Sequence, residues 1–446
     1  MNAATAVSGA KIATAARASG SDPSDDALLE QLQREAFNYF LTAYNPRNGL
    51  VADTTRDGAP CSIAVIGFAL SAYPVGIERG WMERADAVQR ALVTLRFLMA
   101  SDQSGSACST GYRGCYFHFL DIQSGLRMWH SEVSLIDTGF LMAGLLTAAT
   151  YFAADMPDEI ELRALADALY RRVDWRWAQR EGGAVTHGWK PECGFLNYGW
   201  EGYSEAMLLY VLGLGSPSHA LTDACYCAWT ETYQWENLYG HDFLFAGPLF
   251  IHQFSHAWID FRGIRDVFMR EKDCDYFENS RRATYVQREY AMRNPGSFAG
   301  YGANCWGLSA GDGPHADARR IDGRSQSFYG YAARGVPYGP DDGTLCTSAM
   351  LSSLVFAPEL VLPALRALTS QRGAEGTKPI RASGVNPTLS GDGTNGWQSR
   401  GEFGLDQGMI VLMIENYRSG LLWRLSRANP FVRAGLRRAG FKGGWL

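Results

Sequence analysis

The run TGFLMAGLLTAATYFAA, residues 138–154, could form a helix of more than four turns, and it has no polar side. A helix that is apolar all round has to be covered on every face. A few residues later EIELRALADALYRRVDW (159–175) has the same periodicity but a charged face, so it belongs on the outside. Fully buried and amphipathic helices recur in alternation along the chain, which describes two concentric layers. The fold expected is therefore all-α, an (α/α)6 barrel or toroid with long loops forming a cleft at one end.

Helical periodicity is read near 26–43, 61–73, 81–100, 131–153, 158–179, 203–213, 217–239, 247–256, 264–292, 345–356, 359–369 and 406–426. Between them lie long loops rich in Gly, Asp and aromatic residues at 101–130, 181–202, 293–344 and 371–405. Loops of that length inside a compact domain are usually functional, and in a barrel they would wall the cleft. None reads as a linker, so a single domain over 27–446 is expected, after a disordered tail over 1–26.

The net charge of −5 argues against a nucleic-acid partner. Aromatic residues make up 13% of the chain, a mild leaning toward sugars, whose C–H faces stack on rings. No 18-residue uncharged apolar run is present, so no membrane span is expected. The first residues lack the apolar core of a secretory signal, which suggests the cytoplasm, or the periplasm if a signal has been removed. Nine cysteines contain no C-x-x-C pair, and Cys225 and Cys227 are too close for a zinc knuckle. They read mostly as free, buried thiols, with Cys108 and Cys115 the pair that could bridge after export.

Acids at the heads of apolar helices are the strongest chemical signal. Glu132 and Asp137 precede the apolar run in RMWHSEVSLIDTGFL (127–141), and Glu205 precedes another in NYGWEGYSEAMLLYVLGLGSP (197–217). Asp406 heads a third in GEFGLDQGMIVLMIENYRSGLLW (401–423). The helix dipole favours acids in a first turn, which accounts well for Glu132 and poorly for Asp137. A carboxylate entering an apolar run needs a polar cavity or a partner, because burying it alone is costly. Partial burial would raise the pKa of Glu205 toward that of a general acid. Glycoside hydrolysis needs at least two carboxyl groups. Within the third helix, Glu415, Asn416 and Arg418 read as buried polar pairs that lock packing.

His252 and His256 share an i, i+4 spacing, but the Glu of H-E-x-x-H and a third ligand are missing. No metal and no cofactor are expected. The Gly-rich pieces match no nucleotide-binding pattern, and no G-x-S-x-G elbow occurs.

Several segments in order, among them SIAVIGFAL, HFLDIQSGLRMWHSEVSLIDTGFLMAGLL, WEGYSEAMLLYVLGLGSP, HQFSHAWIDFRGIRD, YGANCWGLSAGDGP and DQGMIVLMIENYRSGLLW, resemble the bacterial "putative glucoamylase" family. The resemblance runs from about residue 35 to the C-terminus. It implies an (α/α)6 barrel and an inverting endo-β-1,2-glucanase that releases β-1,2-linked glucooligosaccharides from linear or cyclic β-1,2-glucan. The Glu of GYSEA, Glu205, then matches the family's general acid, which acts through a substrate hydroxyl. Asp406 of LDQG is the expected base, from its position on the C-terminal inner helix. Glu132 and Asp137 match E-x-S-x-I-D-T and would bind glucose hydroxyls or assist the acid. Arg127, Trp200, Tyr203, His256 and Trp306 are the sugar contacts that the resemblance suggests. The cysteine content and the missing export signal depart from most members. The alternatives are an exo-acting, sophorose-releasing or transglycosylating enzyme on this or another β-glucan, and a non-catalytic glucan-binding barrel. The expected partner is a β-glucan oligo- or polysaccharide, and the expected state is a monomer.

Overall fold

Three inner helices start beside an acid, two of them after an extended residue and one after a turn, and each is apolar enough to be enclosed. The computed structural model describes residues 23–181, 183–321, 323–371, 378–389 and 396–446. Its helices are α1 (Pro23–Thr42), α2 (Ile63–Glu78), α3 (Arg84–Ala100), α4 (Leu135–Tyr151) and α5 (Pro157–Arg172). Next come α6 (Met207–Gly215), α7 (Asp223–Thr230), α8 (Val267–Glu271) and α9 (Tyr276–Arg293). The chain closes with α10 (Thr347–Ser352), α11 (Pro358–Gln371), α12 (Gly404–Arg418), α13 (Leu421–Ala428) and α14 (Pro430–Arg438). Two 3-10 turns, Leu249–His252 and Phe254–Ala257, lie between α7 and α8.

Together these elements form an all-α toroid, as the alternation of buried and amphipathic helices predicts. The inner ring runs α2, α4, α6, the two 3-10 turns, α10 and α12, and α12 packs back on α2. The step from α6 to the turns is made by Ser255, whose hydroxyl binds Leu208 N and Glu205 O at 3.1 Å each. Outside that ring, α1 packs on α12, α3 on α5, α5 on α4, α9 on the first turn and α11 on α10. The outer partner of α6 is α14, brought in from the end of the chain.

The tightest inner contact, α2 on α4, depends on two glycines. A Cβ at Gly67 would lie 2.1 Å from the Phe140 carbonyl oxygen, and one at Gly144 would lie 2.0 Å from that of Gly67. The backbones touch, so any side chain there would force the helices apart.

Several element boundaries differ from expectation, for local reasons. Residues 133–134 are a short strand in a five-stranded sheet, so the helix expected from 131 starts at Leu135, capped by Ser134. The expected helix over 264–292 is two helices, because Asp266 and Asp275 each cap a new start. The one expected over 406–426 divides at Gly420, which has φ +67°. Over 217–239 only α7 is helical, followed by a hairpin pairing Trp235–Leu238 with His241–Leu244. Residues 1–22 of the expected tail lie outside the described residues, and α1 begins inside its last part, at Pro23. Cys108 and Cys115 do not bridge; both are free thiols, Cys115 buried and Cys108 exposed. Among the described residues no helix is long and apolar enough to cross a membrane.

Candidate active site

Inner helices that share a direction present their N-termini at the same end of the toroid, and there a cavity of about 430 Å³ opens. Its acids are Asp53, Asp137, Glu205 and Asp406, with His118 beside them. Phe119, Phe140, Phe250, Phe254, Tyr331 and Phe403 supply aromatic walls. Such walls around a few convergent polar groups are the usual make-up of a small-molecule or sugar site.

Each acid is held in a different way. Asp137 sits in the first turn of α4, where Ser134 accepts from its backbone N–H and donates to its carboxylate. Glu205 lies in the turn just before α6, with its backbone carbonyl bound by Ser255. Burial raises its carboxyl to about 7, with a further push from the charge of Asp137. Asp406 occupies the first turn of α12 and accepts a 2.7 Å hydrogen bond from Ser348. Burial raises it to about 6, against the opposing hydrogen bonds from Ser348, Ser383 and Cys346. Asp53 comes from the loop between α1 and α2, and burial lifts it to about 6 as well.

His118 organises the acids on one side. Its Nδ1 lies 3.0 Å from Glu132 and its Nε2 3.6 Å from Asp137, while its ring stacks on Phe119 at 4.0 Å. Burial works against its charge, but Asp137, Glu132 and Asp53 outweigh it and push the imidazole up to about 9. A cationic ring is thus clamped between two carboxylates. Burial would raise Glu132, but His118 holds it below the usual range.

Of the residues singled out in the sequence, Asp137, Glu205 and Asp406 meet in the cavity. Glu132 stands behind it, bound to His118. The expected aromatic and basic sugar contacts are elsewhere. Trp306 and His256 are core side chains with no surface to offer a ligand. His256 Nε2 is 3.1 Å from Ser280, and its ring packs on Phe261 and Phe356. Tyr203 packs among Tyr233, His252 and Tyr276. Trp200 stacks on His187 at 4.0 Å. Arg127 is turned toward Glu192, with bonds of 2.6 and 3.0 Å. An aromatic ring that fills a core and one that stacks on a sugar look alike in sequence, which is why these assignments move.

His252 and His256 fall on separate 3-10 turns, and burial lowers them to about 4 and about 3. Among the described residues no three His, Cys, Asp or Glu side chains gather as metal ligands would. The acid-headed helices of the sequence do not point to Asp53, His118 or Tyr331. His118 was within reach, since it opens the HFLD segment of the resemblance, whereas Asp53 and Tyr331 sit in loops without periodicity.

The family model described as "Putative glucoamylase" matches residues 197–430. A solved putative glucoamylase from Bacteroides uniformis is 30% identical, with a TM-score of 0.81 over 96% of this chain and 100% of that one. An endo-β-1,2-glucanase from Chitinophaga pinensis, solved with sophorotriose and glucose, is 27% identical with a TM-score of 0.79, covering 95% and 99%. An exo β-1,2-glucooligosaccharide sophorohydrolase (non-reducing end) from Parabacteroides distasonis is 27% identical over 93% of this chain, which spans 58% of that protein.

Proposed function

Since the chain belongs to the "putative glucoamylase" family, we propose that it is a glycoside hydrolase acting on β-1,2-glucan, cleaving internal linkages with inversion. One observation carries this reading: Glu205 and Asp406, both raised by burial, face a single aromatic-walled cavity. The relatives that act on β-1,2-linked glucose support the substrate.

The two carboxyls differ in a way that divides the roles. Glu205 receives no side-chain hydrogen bond among the described residues; only its own backbone N–H opposes burial, and its carboxyl stays raised to about 7. Asp406 accepts from the Ser348 hydroxyl, which favours its ionised form. Pairs whose environments separate their proton affinities mark acid and base. Glu205 gives its proton, through a substrate hydroxyl, to the departing glycosidic oxygen. Asp406 takes a proton from the water that attacks the anomeric carbon from the opposite face. Asp137, held by Ser134 and His118, stays available to orient glucose hydroxyls. Phe119, Phe250, Phe254 and Phe403 provide apolar faces for the sugar rings.

The test is incubation with β-1,2-, β-1,3-, β-1,4- and α-1,4-glucans, with early products sized by chromatography and the anomer followed by NMR. Mixed sophorooligosaccharides from β-1,2-glucan, first formed as the α-anomer, are the expected result. The Parabacteroides relative favours a second reading, in which sophorose alone is released from chain ends. A lone early disaccharide would select that reading. Binding without cleavage of any glucan would select a non-catalytic barrel.

A further inference from the structure

Residues 329–334 form a strap along one wall of the cavity, and its construction is unusual for a loop. Ala332–Ala333 pair antiparallel with Ala310–Gly311, and Ala310 and Ala333 both line the cavity. Behind them Arg334 is only 1% exposed and forms a bidentate pair with the buried Asp342, at 2.7 and 2.9 Å. Its remaining donors reach the carbonyls of Gly311, Tyr329 and Gly330 at 3.1, 3.2 and 3.1 Å. A buried ion pair is costly unless its donors and acceptors are satisfied, and here they are. The pair fixes the backbone on both sides of Tyr331.

Among the described residues no hydrogen bond of the fold uses the Tyr331 side chain. It lines the cavity, 63% of its surface is exposed, and its hydroxyl has no hydrogen-bond partner among the described residues. The carboxylates whose charges reach that hydroxyl are Asp406, Asp53 and Glu205, so it lies among the acids of the site. The cavity wall also buries the phenol group. That burial first, and then those charges, keep the phenol protonated and therefore a donor. A ring on a fixed backbone, with an idle donor in the cavity that an acid and a base share, is an arrangement waiting for a ligand with acceptor oxygens.

We infer that Tyr331 is a substrate-contacting residue of the reaction centre, donating its hydroxyl to an oxygen of the glucosyl unit held between Glu205 and Asp406 while its ring covers that unit. This rests on the glucan-hydrolase reading. The contact orients the sugar and excludes water on the strap side.

The test compares the full-length wild type with Tyr331→Phe and Tyr331→Ala. Each is assayed for kcat and KM on β-1,2-glucan, titrated calorimetrically with sophorotriose, and melted. Because the hydroxyl has no partner in the free protein, Tyr331→Phe should melt with the wild type. Its kcat/KM should nevertheless fall by about fivefold or more, the effect of one lost hydrogen bond to substrate. Tyr331→Ala should lose about tenfold more, together with measurable affinity for sophorotriose. Unchanged kcat/KM and affinity in both variants would overturn the inference while leaving the hydrolase reading intact. If the wild type cleaves a different glucan and the variants fail on it, the substrate assignment falls and the Tyr331 contact holds. If no glucan is cleaved, the hydrolase reading falls, and the sophorotriose affinities alone decide the contact.

Discussion

Helix α12 carries two carboxylates in opposite circumstances. Asp406 in its first turn faces the cavity with hydroxyl and thiol partners, whereas Glu415, nine residues on and about 13 Å along the axis, is 1% exposed and paired with Arg79 at 2.8 and 2.9 Å. Away from the cavity the pattern of Glu415 repeats. Asp260 is held by Arg262 and Arg427, Glu159 by Arg84, and Asp25 by Arg366. Among the described residues none of Asp53, Asp137, Glu205 or Asp406 forms an ion pair with an arginine. At these four positions a guanidinium neutralises the buried acid, whereas Asp266, an N-cap, is held by the Tyr226 and Tyr276 hydroxyls instead. At the cavity the acids are left with imidazole, hydroxyl or no partner, so that protons can move.

The largest effect should come from breaking the cavity side of this contrast. Glu205→Gln keeps the shape and removes the proton, so kcat on the preferred glucan should fall by ~10²–10⁴-fold, as measured in steady state. Asp406→Asn should lose turnover comparably, without azide rescue to a product of the opposite anomer. Glu201→Gln, at an exposed position four residues before Glu205, should change little. Near-normal turnover in Glu205→Gln would remove the acid assignment.

Glu415→Gln breaks the other side. Removing one partner of a buried pair strands the other charge, and about 3 kcal/mol of stability should be lost in urea denaturation. Turnover per folded molecule should persist. A Glu415 variant that is fully stable but inactive would erase the distinction between the two kinds of acid.

Stability against pH sharpens the comparison further. The folded-state pKa of Glu205, about 7, is above the ordinary carboxyl value, so its contribution is favourable at low pH and is lost as pH rises through about 7. Wild type and Glu205→Gln should therefore melt together near pH 4, and the Gln variant should melt higher at pH 8. For activity, kcat/KM should rise as Asp406 ionises near 6 and fall as Glu205 loses its proton near 7, giving a narrow bell.

The smallest effect concerns His118, whose pKa is raised to about 9 by its carboxylate neighbours. That raised value makes it stabilising below its unfolded pKa, with the benefit lost as pH rises through about 9. His118→Asn should cost roughly 1–3 kcal/mol at pH 6 and far less at pH 10, as followed by chemical denaturation at both values.

The sequence by itself determined the all-α toroid, because a helix without a polar face can only be enclosed and an amphipathic one can only lie against it. It also determined that acids head the inner helices, and Asp137, Glu205 and Asp406 do converge. Only the tertiary structure decided what surrounds them. Asp53, His118 and Tyr331 reach the cavity from loops, where no period ties a residue to a direction. Trp306 and His256 turn into the core and Tyr203 packs against it, because a ring's destination depends on what packs beside it. The outer partner of α6 was likewise unreadable, since α14 arrives from the far end of the chain and local sequence carries no record of distant contacts.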